Sequence, residues 1–158
     1  MQVCLNTTVV SKKKNKSPLN RENPNLKKIP RDNYPQSYLD NYPVWRFGEI
    51  DLEGPFGWLN IESIKKTGEI IEKLKEFESM TWKEITNIRK NNHFVEIENF
   101  SNLAKNRLRE IERDDCDEFF SLRLTGLNRI WGRIEFGIFY ILWWDPNHEV
   151  CPSHKKHT

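Results

Sequence analysis

The sequence has little of what usually announces a chemistry. Only three of its 158 residues are cysteine, Cys4, Cys116 and Cys151, an odd number at wide spacing. That argues against a disulfide framework and fits a reducing cytoplasm. There is no CxxC pair and the three cysteines are far apart, so no zinc site and no metal are expected. A glycine-rich phosphate loop, HExxH and GxSxG are all missing, so neither those mechanisms nor a cofactor is expected. Long apolar runs are missing too. The longest near the end, Ile138 to Trp144, has seven residues, where a membrane-spanning helix needs about 20. The opening MQVCLNTTVVSKKK lacks a basic start and a long apolar stretch, so no secretory leader is expected.

Charge of one sign is also scarce overall, with 25 Lys/Arg against 23 Asp/Glu, yet its distribution is uneven. Residues 1–40 carry eight Lys/Arg and three Asp/Glu, which leaves 17 and 20 for the rest. The basic pI of 8.4 therefore belongs to the first 40 residues rather than to a basic domain. SKKKNKSPLNRENPNLKKIPRDNYPQS has almost no periodic apolar pattern and cannot offset its ordering entropy, so residues 1–40 are expected to be a disordered or extended arm. Such an arm is either a solvated leader or a contact for RNA or an acidic partner. Residues 41–158 are expected to form one domain.

Within that domain, PVWRFGEIDL alternates like a strand, and Glu53-Gly54-Pro55 supplies a turn. A helix is expected from about Asn60, with Ile61, Ile64, Ile71, Leu74 and Phe77 on one stripe. Thr81-Trp82-Lys83-Glu84 is a capping box that opens a second, short helix. After HFVEIEN a third helix is expected from about Ser101 to Arg113, with Leu103, Ala104, Leu108 and Ile111 inward.

The period then changes from 3.6 to 2. In FFSLRLTG, Phe120, Leu122 and Leu124 oppose Ser121, Arg123 and Thr125; in RIWGRIEF, Ile130, Gly132 and Ile134 oppose Arg129, Trp131 and Arg133. Gly126 to Asn128 and Phe136-Gly137 read as hairpin turns. IFYILWWD is apolar on both faces, as in a central strand covered on both sides. The expected class is α+β: an N-terminal strand, two or three helices, and an antiparallel meander with the helices on one face.

The stretch LRLTGLNRIWGRIEFGIFYILWWD, with its Leu-x-Gly turn, spaced arginines and aromatic strand, resembles the RelE/ParE toxin superfamily over about residues 95–158. The resemblance implies a small α+β protein. Its RelE-type members cut mRNA, typically on the ribosome, so RNA or the ribosome and an antitoxin protein become the implied partners. VWRFGEIDLEGPFGW has no counterpart in those short toxins, and the lysine pair of some RelE enzymes is not found here.

The last thirty residues, 129–158, hold three of the six tryptophans and three of the four histidines. RNA cleavage through its own 2′-hydroxyl needs a base, a cation on the phosphate and an acid for the leaving 5′ oxygen. Arg129, Arg133 and His148 are the candidate catalytic residues, because a guanidinium binds two phosphate oxygens and an imidazole titrates near neutrality. Arg123, on the same strand face, would join the phosphate clamp, and Trp131 would stack a base. The alternative is a solvated polar face, with Arg133 balanced by Glu135. Asp145 either orients an imidazole or simply turns the chain before Pro146. Lys155, Lys156 and His157, with His154, add substrate-binding charge or are a frayed end. His93 reads as structural. A non-catalytic protein that binds a partner or nucleic acid through its helices or basic arm is the competing function.

Overall fold

The computed structural model describes residues 38–88 and 91–152. The expected arm lies outside them except for its last three residues. The elements run β1 (Val44–Arg46), α1 (Ile64–Glu78), α2 (Trp82–Asn87), β2 (His93–Glu96), α3 (Asn102–Glu110), β3 (Glu118–Arg123), β4 (Arg129–Glu135) and β5 (Ile138–Asp145). One mixed sheet has the order β1-β5-β4-β3-β2, antiparallel except where β1 runs parallel to β5. The class is α+β.

The helix signals work locally, with shifts of a few residues. α1 begins at Ile64 rather than Asn60, because the Ser63 hydroxyl accepts the Lys66 N–H at 3.2 Å. Its inward stripe is Ile70, Leu74 and Phe77, while Ile64 and Ile71 face solvent. Ile70 and Leu74 are four apart and continue to Phe77, a better stripe than one through Ile71. The capping box forms as expected: the Glu84 N–H reaches the Thr81 hydroxyl, and the Glu84 carboxylate accepts the Thr81 N–H at 2.7 Å. α3 is capped by Ser101 and ends at Glu110, three residues short of the expected Arg113.

Two departures reshape the architecture. HFVE, between α2 and α3, is edge strand β2 and pairs with β3. Helices also cover both faces, not one. Ile70, Leu74 and Phe77 of α1 and Trp82 and Ile85 of α2 pack with Phe120, Leu122, Ile130, Phe139, Ile141 and Trp144. Ala104 and Leu108 of α3 pack on the opposite face with Phe119, Trp131, Leu142 and Trp143. β5 lies between β1 and β4 and is covered on both sides, which is why its residues from Ile138 to Trp144 are apolar or aromatic on both faces.

The bulge in β5 decides what lies where. Trp131 faces Trp143 but Gly132 faces Ile141, so Leu142 is the extra residue. A Cβ on Gly132 would lie 2.2 Å from the Tyr140 carbonyl oxygen, so the ladder closes there only around glycine. The freed Leu142 carbonyl accepts the Asp51 N–H at 3.0 Å and the Trp58 indole N–H at 3.1 Å. The Trp144 N–H, one position past Trp143, donates to the Phe56 carbonyl at 3.0 Å. The segment 47–60 therefore continues the protection of β5 where three-residue β1 stops. At the other end Phe136 and Gly137 (φ 51° and 84°) make the two-residue turn between β4 and β5.

Candidate functional site

Directly opposed residues share a face, and so do alternate residues on one strand. Arg123 opposes Arg129, Arg129 opposes Asp145, Ser121 opposes Trp131, and His93 opposes Ser121. Arg123, Arg129, Trp131, Arg133 and His93 thus lie on the α3 face of the sheet. The shared face is the one the alternation gave; its exposure is not. Trp131 is 1% exposed and packs edge-on against Phe100, with ring centroids 5.1 Å apart. Its indole N–H donates to Asp145 Oδ2 at 3.1 Å. No ring face remains on which a nucleotide base would stack.

Trp131 separates two arginine environments. Arg133 lies about 13 Å along the strand from Arg129 and is held by acids. Its Nε donates to Glu49 Oε2 at 2.9 Å, Nη2 donates to Glu49 and Nη1 to Glu135, and the guanidinium lies 4.3 Å over the Tyr140 ring. The hydrogen bond from Arg133 holds the Glu49 carboxyl below the usual range, and the Arg133 pKa is raised in return. Nearby, Asp51 accepts both Nε and Nη2 of Arg107, at 2.8 and 2.7 Å, and the Trp143 indole N–H at 2.9 Å. Burial alone would raise the Asp51 pKa; the hydrogen bonds from Arg107 and Trp143 outweigh it, and the carboxyl is held low. A cavity of about 410 Å³ opens beside these groups, lined by 48–53, Arg107, Ile111, Arg113 and Leu142.

At the hairpin end the balance is reversed. Among the described residues no carboxylate lies within 4.0 Å of Arg123 or Arg129. Arg129, 7% exposed, donates Nη1 to the carbonyls of Gly126 and Asn128 at 3.1 and 3.2 Å, and Arg123 Nε donates to Gly126 at 3.0 Å. Burial, then the neighbouring Arg123, lowers the Arg129 pKa against the opposing pull of Asp145. No protein-family model, curated protein or solved structure compared with the chain matches it.

His148 completes this end. Asp145 is fully buried, and besides the Trp131 indole it accepts the N–H groups of Glu149 and Val150 at 2.9 and 3.0 Å. Those bonds curl 145–150 into a closed turn with half-buried His148 in the left-handed region (φ 60°), a conformation that non-glycine residues adopt only when the surroundings impose it. Burial is the main cause of a lowered His148 pKa; Arg129, Arg123 and His93 push the same way, and Asp145 opposes them. All four groups therefore lie within electrostatic reach of the imidazole.

Of the residues singled out in the sequence, Arg123 and Arg129 oppose each other within electrostatic reach of His148, Arg133 and Trp131 do not join them, and Lys155, Lys156, His154 and His157 lie outside the described residues. His93 was missed as a member of the group. Its signal was HFVE, whose Phe94 and Val95 suit a strand, and a strand there puts exposed His93 on the arginine face. No helix among the described residues is long and apolar enough to cross a membrane. Among those residues no group of three or more His, Cys, Asp or Glu is placed to hold a metal ion.

Proposed function

We propose that the protein is a metal-independent endoribonuclease of the RelE-like kind, acting at the hairpin end of the sheet. His148, neutral near pH 7 because its pKa is lowered, is the base that takes the 2′-hydroxyl proton. The 2′ oxygen attacks phosphorus, the bond to the 5′ oxygen breaks, and a 2′,3′-cyclic phosphate and a free 5′-hydroxyl result. Arg129 and Arg123 hold the phosphate as its charge grows, and His93 protonates the leaving oxygen. Arg133, saturated by Glu49 and Glu135, has no part in this version. RNA on the ribosome as target, an antitoxin as partner and a cytoplasmic location belong to the same reading.

One observation carries it: two arginines with no carboxylate within 4.0 Å among the described residues share a sheet face with His93, and a strained, acid-capped turn after β5 carries His148 within their electrostatic reach. The test is incubation of the purified chain with free and ribosome-bound RNA in EDTA, with the product ends mapped. Cleavage leaving cyclic phosphate, lost in His148→Ala and Arg129→Ala and retained in Arg133→Ala, is the expected result. Intact RNA in every preparation overturns it.

A second reading is favoured by the near-complete burial of Arg129 and the use of its Nη1 on loop carbonyls. In that reading the scaffold binds RNA or a protein partner without cutting, and His148→Ala leaves binding unchanged.

A further inference from the structure

Asn128 sits where three separate parts of the chain meet. Its Nδ2 donates to the Pro146 carbonyl at 2.9 Å, tying the β3–β4 hairpin to the turn that carries His148. Its Oδ1 accepts Lys66 Nζ of α1 at 3.2 Å and the Thr125 hydroxyl at 3.3 Å. Its backbone closes the hairpin: the N–H donates to the Thr125 carbonyl at 2.8 Å, and the carbonyl accepts the Leu124 N–H at 3.0 Å and Arg129 Nη1 at 3.2 Å. One side chain thus uses both ends of its amide on different elements, while the carbonyl of the same residue steadies the guanidinium next to it.

The turn itself is anchored by Asp145 at its start and close, through the Glu149 and Val150 N–H groups. Between those anchors, the Nδ2 bond to Pro146 is the tie that leads back to the arginine hairpin. Neither Arg129 nor Arg123 depends on the Asn128 side chain, because both bond to backbone carbonyls. Removing the amide should therefore free the imidazole while leaving the cations where they are.

We propose that Asn128 is a positioning residue: its amide sets the His148 imidazole against Arg123 and Arg129. The inference rests on the nuclease reading for its consequence but not for its geometry. A loosened turn exposes the imidazole, so its pKa should rise toward the ordinary 6.5. Catalysis should lose at least about tenfold in kcat, because a misplacement on the order of 1 Å has costs of that size. KM should stay within about twofold, since the arginines remain in place.

The experiment compares the full chain with Asn128→Ala, Asn128→Leu and Lys66→Ala. The His148 titration is followed by its imidazole ring-proton resonances, and cleavage is followed on an RNA oligonucleotide. Asn128→Ala and Asn128→Leu should both lower kcat and raise the His148 pKa, and Lys66→Ala should do neither. The leucine has nearly the shape of asparagine, adds no charge beside His148 or the arginines and has no donor for Pro146, so it decides the matter if the alanine variant does not fold. A wild-type kcat and His148 titration in Asn128→Leu, or a Lys66→Ala variant as impaired as Asn128→Ala, overturns the proposal. If the parent chain cuts no RNA, the nuclease reading fails while the titrations still decide the positioning role.

Discussion

Arg129 and Arg133 lie on one strand, on one face, four residues apart, and do opposite things. Arg133 is paired with Glu49 and Glu135 and stacked on Tyr140, so its charge is spent within the fold. Arg129 faces Arg123 across the hairpin, with only carbonyl oxygens on its Nη1. Strand position does not explain the difference. Glu49 does, and it arrives from a segment 84 residues away in sequence. An arginine on a polar sheet face is a candidate ligand group only when no acid from elsewhere in the chain reaches it first.

The largest test of this contrast is the acid segment itself. Asp51→Ala leaves Arg107 and the Trp143 indole without their shared acceptor, with the Asp51 side chain only 6% exposed. Breaking such a pair from one side should cost about 3 kcal/mol or more. Urea unfolding measures it, and a loss below about 1 kcal/mol would mean the 47–60 segment is not clamped as described. Gly132→Ala comes next. Its Cβ would press on the Tyr140 carbonyl oxygen, and strain of this kind costs about 1–3 kcal/mol. A wild-type melting curve would show that the ladder opens there freely.

Exchanging the two arginines sharpens the comparison. Arg129→Ala should weaken RNA binding about tenfold, the scale of a charge-assisted hydrogen bond lost to a phosphate. Arg133→Ala should leave RNA affinity within about twofold and lower stability by about 1 kcal/mol, the range of a partly exposed ion pair. Filter binding at two salt concentrations, with urea unfolding of the same variants, reads both. The reverse pattern would assign the phosphate to Arg133 and undo the site.

Much of this was legible in the sequence, for physical reasons. The Thr81–Glu84 box, the Phe136-Gly137 turn and the two-sided apolar run of β5 are determined by neighbouring residues, and each forms as read. The shared face of Arg123, Arg129 and Trp131 follows from the period of two and the hairpin register. What was not legible depends on distant contacts. β2 is four residues long and holds its place by pairing with β3, so HFVE alone carried too little pattern, and His93 was lost with it. Trp131 looks like a platform in RIWGRIEF; it is core because Phe100 and Asp145 close over it. α3 on the second face was hidden for the same reason: nothing local says which side of a sheet a helix will choose.

The smallest expected effect uses pH to separate the two ends. Glu49 and Asp51 have folded pKa values below their ordinary 4.5 and 3.8, so the unfolded chain binds their protons first as the solution is acidified. Their contribution is present in full above those ordinary values and is lost as pH falls through the lower folded ones. His148 also has a lowered pKa, but from an ordinary 6.5. There too the unfolded state binds the proton first, so stability declines with falling pH, starting just below 6.5 rather than near 4. Urea midpoints across pH 3–8 should therefore fall in two steps. His148→Gln should remove the upper step alone, and Asp51→Asn should reduce the lower one alone. A single step, or an upper one that survives His148→Gln, would show that the imidazole is as open to water as an unfolded one. The closed turn behind the base assignment would then be gone, and the arginine pair would be left as a plain anion-binding edge.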